Sequence, residues 1–288
     1  MKRYYFLSSS HFDDRLWFQD EKDYGAGMNF VALAAFRAKV EVLTFVLMSN
    51  HVHFVLYADS ADAHSFADIF KSMYSRYAGG KYGKAHLLRR NKFDCREIPA
   101  GDERLERTIA YVIMNPVAAN IVLSPVTYPW GCGACYFSSV PLKGVAAASL
   151  SIRKRKEAFH SKQAPAAGWI IGEDGYILPE SFIWKDFVES LFKTARRMNY
   201  FLNNSSKSRK VIEKREQIQP SFQDQSLVYV MRDICYTLFR QTSPEKLSDA
   251  EQERLVYELR RRFGPDPSQL SRVLGIRPET LADIISRI

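Results

Sequence analysis

His51 and His53 stand two residues apart in "SNHVHFVLY" (49–57), and Tyr111 and Asn115 stand four apart in "AYVIMNPVAANIV" (110–122). Alternate residues of a strand project from one face. Two imidazoles placed so can grip one divalent cation. Residues four apart on a helix are neighbours. Asn115 could complete an oxygen-containing metal site, or it could cap the helix end before Pro116. Tyr111 beside it is a candidate nucleophile. A phenol, with a reference pKa of about 10, attacks poorly at neutral pH. A phosphodiester next to a cation is a better electrophile, because the cation offsets charge developing in the transition state. The constellation therefore suits tyrosine attack on a phosphodiester, giving a covalent phosphotyrosine and a freed 3′-hydroxyl. The plain alternative is a pair of core histidines bonded to backbone and a boundary tyrosine with a wet hydroxyl.

These residues need elements to hold them. Runs of apolar and aromatic residues predict strands at 3–9, 40–48, 52–58 and 92–98. Helical spacing predicts helices at 29–40, 64–80 and 102–115, with Gly79-Gly80 and Pro116 as stops. Ser49 and Asn50 make the turn between two paired strands. His51, His53, Val55 and Tyr57 share a face, while Val52, Phe54 and Leu56 point the other way. On the third helix Leu105, Ile109, Val112 and Ile113 form the core stripe, and Tyr111 and Asn115 lie on a different side near Arg104 and Thr108. The order β-α-β-β-α-β-α is the α+β, ferredoxin-like split βαβ pattern, an antiparallel sheet with helices.

The character changes after residue 140. A basic stretch at 151–168 reads as a connector, 169–178 as a small hairpin and 184–202 as one helix. Residues 203–217 are polar. From 223 onward the chain reads as helices. Ser248 and Glu251 have capping-box spacing. Ser271, Gly275 and Pro278 sit where a helix-turn-helix needs a small residue, a turn and a first helical position. Arg277, Thr280 and Arg287 would then face duplex DNA. The expected division is 1–140 catalytic, 141–222 connecting and 223–288 helical and DNA-binding.

The chain of 288 residues carries 41 Lys and Arg against 32 Asp and Glu, a net charge of +9. Such a balance favours polyanions. Arg76, Lys81, Lys84, Arg89, Arg90 and Lys92 cluster around Tyr82. Bases can stack on such a ring while the cations track phosphates. The four cysteines are too few for a disulfide scaffold. Cys132 and Cys135 have zinc spacing without a second pair. No signal-length apolar segment or membrane-length run is present, so a cytoplasmic protein with no membrane contact is expected.

His51-Val52-His53 resembles the signature of HUH single-strand nucleases. "TFVLMSNHVHFVLY" (44–57), "AYVIMNPVAANIV" (110–122) and "YPW" (128–130), in that order, resemble the REP-associated tyrosine transposases and their single-strand insertion-sequence relatives. The similarity spans about residues 1–140. It implies cleavage and rejoining of single-stranded DNA beside hairpins through a 5′-phosphotyrosine intermediate, with Mg²⁺ or Mn²⁺. It maps His51, His53 and Asn115 to metal ligands and Tyr111 to the nucleophile, in a monomer or homodimer. Ser49 stands where the family usually has Pro, and "AHLLRRNKFDCREI" (85–98) replaces its Gly-rich aromatic strand. Two other functions compete: a non-catalytic DNA-binding regulator on the same fold, and a phosphodiesterase that uses water.

Overall fold

β-branched and aromatic runs set the strands where the sequence places them: β1 at Arg3–Ser9, β2 at Glu41–Leu47, β3 at Val52–Ala58 and β4 at Phe93–Glu97. A computed structural model describes residues 1–9, 16–83, 92–119, 121–160, 165–205 and 224–287. The strands form one antiparallel sheet in the order β2-β3-β1-β4. Helices α1 (Glu21–Ala38) and α2 (Ser60–Tyr82) cover one face. There Phe54 of β3 meets Phe66 and Phe70 of α2 at ring separations of 4.9 and 5.2 Å. The other face receives α3 (Arg104–Ile113), with the short α4 (Asn115–Ala118) following.

Three boundaries differ from expectation. α1 begins eight residues earlier than the periodicity predicts, capped by Asp20 accepting from the Asp23 amide. Gly25 and Gly27 weaken the helical signal there. Gly27 is required for packing, since a Cβ would stand 2.6 Å from the Phe18 ring and 2.9 Å from Leu47. α2 runs through Gly79-Gly80 and stops at Gly83, whose φ of 65° ends it. Pro116 does not terminate the chain's helical path but sits in the first turn of α4, where its missing N–H costs nothing.

Residues 145–202 are not a spacer. Ala147, Phe159, Trp169, Ile177, Val188, Phe192 and Phe201 are buried in the same core as the sheet. The expected basic connector contains α5 (Ile152–Phe159), anchored by fully buried Phe159. Asn29 of α1 reaches across to the Ala158 carbonyl and the Ile177 amide. β5 (Val145–Ala146) pairs with β6 (Ile170–Ile171), and Ile171 bridges Ile177 around Gly175 as a minimal hairpin. The helix expected at 184–202 is two, α6 (Lys185–Phe192) and α7 (Ala195–Asn203). They break at Lys193, and Thr194 caps the second. Of the polar stretch at 203–217, residues 206–217 lie outside the described residues.

Four helices form a second, aliphatic core: α8 (Asp224–Phe239), α9 (Asp249–Phe263), α10 (Pro267–Leu274) and α11 (Pro278–Arg287). The Ser248–Glu251 capping box forms as its spacing predicts. Gly275 turns α10 into α11 at φ 67°, and Ser271, 1% exposed, donates to the Ile276 carbonyl across the turn. No helix among the described residues is long and apolar enough to cross a membrane.

Candidate active site and its approaches

β2 and β3 are joined by a turn closed by the Met48 amide on the His51 carbonyl, so His51 sits at its exit and His53 two residues on. Their rings are neighbours, with centroids 5.0 Å apart and planes at 73°. His51 is half-buried, and His53 is 4% exposed. Phe6 of β1 stacks on His53 at 5.5 Å. From α3, the half-buried Tyr111 meets His53 edge-on at 5.8 Å and Phe6 at 6.0 Å. The structure therefore brings together His51, His53 and Tyr111, which are separated by up to sixty positions in the chain.

The spacing of the imidazoles fits a shared cation. A metal–nitrogen distance of about 2.1 Å plus roughly 1.2 Å to each ring centre puts two ligand rings about 5 Å apart at an open ligand angle. Nδ1 of His51 lies 2.8 Å from Oδ1 of Asn50; an amide oxygen only accepts, so Nδ1 carries the proton and Nε2 the lone pair that a cation would take. Among the described residues no group of three or more His, Cys, Asp or Glu converges.

Asn115 makes the helix-end bonds that one of its two expected roles requires. Its amide nitrogen donates to the Tyr111 and Val112 carbonyls at 2.8 and 3.3 Å, and the residue is 3% exposed. A helix end leaves carbonyls without partners, and Asn115 satisfies them one turn past Tyr111. Through its amide nitrogen it fastens the helix that carries Tyr111, and these bonds do not engage Oδ1, the atom a metal would take. Burial pushes the Tyr111 phenol above its ordinary pKa, so the resting group holds its proton.

Beside Tyr111 the structure adds Phe6, Arg96 and Arg107 to Arg104 and Thr108, which helical spacing already placed near it. Phe6, Arg96, Arg104, Arg107 and Thr108 line an open cleft of about 410 Å³ that ends at Tyr111. Arg104, Arg107 and Thr108 precede Tyr111 by seven, four and three positions on α3, which is the sequence signal that finds them. The Tyr-Pro-Trp segment has a structural task. Tyr128 donates to the Leu47 carbonyl, the Leu47 amide donates to Trp130, and Trp130 stacks on Tyr24 at 4.8 Å. Gly131 lies so close to β2 that a Cβ would stand 2.9 Å from the Phe45 carbonyl oxygen.

The turn before His51 is held from the second core. Ser49, the residue that departs from the family pattern, donates to Asp224 of α8 at 2.5 Å. Asp224 is 5% exposed and also receives Gln269 and Arg272 of α10. The Ser49 carbonyl takes the amides of Trp17 and Phe18, and Gln225 of α8 donates to the Phe18 carbonyl.

The expected DNA-contacting residues are dispersed. Arg76 is exposed and lines, with Lys81, Tyr77 and His160, a cleft of about 480 Å³. Lys81 is spent inside the protein, with its ammonium 2.7 Å from Asp20 and 2.6 Å from Asp23. Tyr82 likewise donates to Asp23. Lys92 is exposed, whereas Lys84, Arg89 and Arg90 lie outside the described residues. Arg277, Thr280 and Arg287 are exposed around α11, and Arg287 pairs with Glu253. Cys132 and Cys135 are buried side by side without a second cysteine pair, and the hydrogen bond with Cys132, then burial, raises the Cys135 thiol.

No protein-family model matches the chain, and no curated protein matches it. Among solved structures, a REP-associated tyrosine transposase bound to a REP hairpin is similar at 15% identity, with a TM-score of 0.38 over 46% of this chain and 78% of that one.

Proposed function

We propose that this chain is a metal-dependent tyrosine transposase that cleaves and rejoins single-stranded DNA. One observation carries the reading: the Tyr111 ring packs on His53, whose neighbour on the same face is His51. The order β-α-β-β-α-β with strand order β2-β3-β1-β4 is compatible with a ferredoxin-like scaffold for that site. His51 and His53 would hold Mg²⁺ or Mn²⁺. The cation's chemistry is to offset negative charge on the phosphate under attack. Asn50 fixes the His51 ring, and Asn115 fixes the end of α3.

Tyr111 Oη forms a bond to phosphorus and the bond from phosphorus to the 3′-oxygen breaks. The phenolic proton leaves through the exposed side of the ring, and the 3′-oxygen takes up a proton as it departs. The DNA 5′ end is then a phosphotyrosine ester, whose energy serves rejoining. α10 and α11 form a helix-turn-helix that presents Arg277, Thr280 and Arg287 to duplex DNA.

The test is incubation of full-length protein with a single-stranded hairpin oligonucleotide and Mn²⁺. A covalent complex on a denaturing gel, with DNA located on Tyr111 by mass spectrometry, is expected. Tyr111→Phe keeps the ring contacts with His53 and Phe6 and abolishes the complex. Cleavage that persists in Tyr111→Phe establishes water as nucleophile. DNA binding without an adduct in the wild type establishes a regulator.

A further inference from the structure

The cleft beside Tyr111 has the shape and charge of a substrate site. Its volume of about 410 Å³ falls within the roughly 300–1,000 Å³ of small-ligand sites. Three cations, Arg96, Arg104 and Arg107, line it together with one acid, Glu97. Glu97 is taken by Arg3 at 2.8 Å. Glu103, the partner of Arg107, is shared with Arg197 of α7, which also binds Glu106. Glu97, Glu103 and Glu106 are thus engaged by arginines outside the cleft. Arg96 pairs with Asp94, and Arg104 stands 3.9 Å from Asp102. The side chains of Arg104 and Arg107 are 52% and 65% exposed. Ion pairs so exposed contribute little, and a phosphate can displace them with a bidentate contact. Phe6, Ile98 and Pro99 supply an apolar wall, and Phe6 is the residue that also touches both His53 and Tyr111.

We propose that this cleft is the entry subsite for single-stranded DNA, receiving the nucleotide that flanks the phosphate attacked by Tyr111. The flanking base lies on Phe6, and the strand's phosphates are read by Arg104 and Arg107 on the face of α3 that leads to the nucleophile. This assignment rests on the tyrosine-transposase reading for its orientation, but strand binding can be measured without cleavage. Arginine and an aromatic ring side by side are the pairing that tracks a single strand: phosphates on cations, bases on the ring.

The test uses full-length protein, EDTA and a fluorescein-labelled ten-nucleotide thymidine oligomer, followed by anisotropy. Arg104→Ala/Arg107→Ala should weaken binding about 20-fold at 0.1 M salt and reduce the salt slope by about 1.4, the value for two lost single-strand phosphate contacts. Arg104→Lys/Arg107→Lys should retain most of the slope. A 5-iodouracil substituted into the oligomer should crosslink to the peptide containing Phe6. These substitutions are on exposed side chains, so the fold survives them. An unchanged salt slope together with crosslinks confined to other peptides overturns the cleft, even where wild-type protein still forms the Tyr111 adduct. Loss of slope and a Phe6 crosslink in a protein that forms no adduct uphold the cleft as a single-strand site and sink the transposase reading instead.

Discussion

The sheet region and the C-terminal helices bury apolar surface in different ways. The first core is built from large rings brought together from distant positions: Trp17, Phe18, Phe30, Phe45, Phe54, Phe66, Phe70 and Tyr74 are all fully buried. The second is built from Leu, Val and Ile at helical spacing: Leu255, Val256, Leu259, Leu270, Leu274, Leu281 and Ile284. The first therefore depends on strand register, and the second on local periodicity. A three-ring cluster such as Phe6, His53 and Tyr111 needs the first kind of order. A surface built on α10 and α11 needs only the second. The two are tied where Asp224 gathers Ser49 from the first and Gln269 and Arg272 from the second, with Gln225 beside it on the Phe18 carbonyl.

The largest expected effect separates the regions outright. His53→Ala should abolish adduct formation, a loss of at least about 100-fold, and also cost about 1–3 kcal/mol of stability, because the ring is buried against Phe6. His51→Ala, half-buried at the turn, should lose the adduct equally with less unfolding. Adduct assays and urea melts on both variants check this, and near-wild-type cleavage by either would remove the metal site.

Next comes the tie. Asp224→Ala leaves Arg272, 24% exposed, without its carboxylate and costs about 2–4 kcal/mol, toward the lower end of what losing one partner of a buried pair costs. It should also reduce adduct yield through Ser49. A loss of stability with unchanged adduct yield would show that the tie carries no influence across the boundary. Arg277→Ala is smaller and confined to the second region. It should weaken duplex binding and lower the salt slope by about 0.9, while single-strand cleavage stays as before.

The smallest effect compares one helix start from each region. Burial alone would raise the Asp20 carboxyl. Lys81 and the amides of Asp23 and Lys22 outweigh it and hold the group below its ordinary value. Glu251 is held low by the backbone N–H and the hydroxyl of Ser248. A lowered carboxylate stabilises the fold above the ordinary range near pH 4 and loses that contribution as the pH falls through the lowered value. Thermal melts between pH 5 and pH 2.5 should show a flatter decline for Asp20→Asn and for Glu251→Gln than for the parent chain.

What was legible in the sequence follows the same division. The capping box, Gly275 and Pro278 are local signals, and the helices they announce are where they should be. β1 and β3 match their expected limits because alternation is also local. The hairpin at 169–178 and helical structure over 184–202 were legible, but β5 and α5 were not, since a two-residue strand and a helix held by one buried Phe159 carry almost no periodic signal. At the site, the meeting of Tyr111 with the histidines was readable from residue types and spacing. The turn of Asn115 onto the Tyr111 carbonyl was not, because an amide before Pro116 serves a metal or a helix end equally well in a string of letters. Phe6 escaped because nothing in a first strand says which ring will face a helix a hundred residues away.

The way β2 is flanked bears on how the molecule behaves in a crowd. An edge strand offers a row of amides and carbonyls to any other chain that can extend beside it. Here the Leu47 amide, the Phe45 carbonyl and the Val42 carbonyl are already taken by Trp130, Cys132 and Trp184. The opposite edge, β4, presents Asp94, Arg96 and Glu97, whose charges discourage a neighbouring strand. The segments carrying Trp130, Cys132 and Trp184 thus act as selvedges, finishing the woven sheet so that it does not knit to its copies.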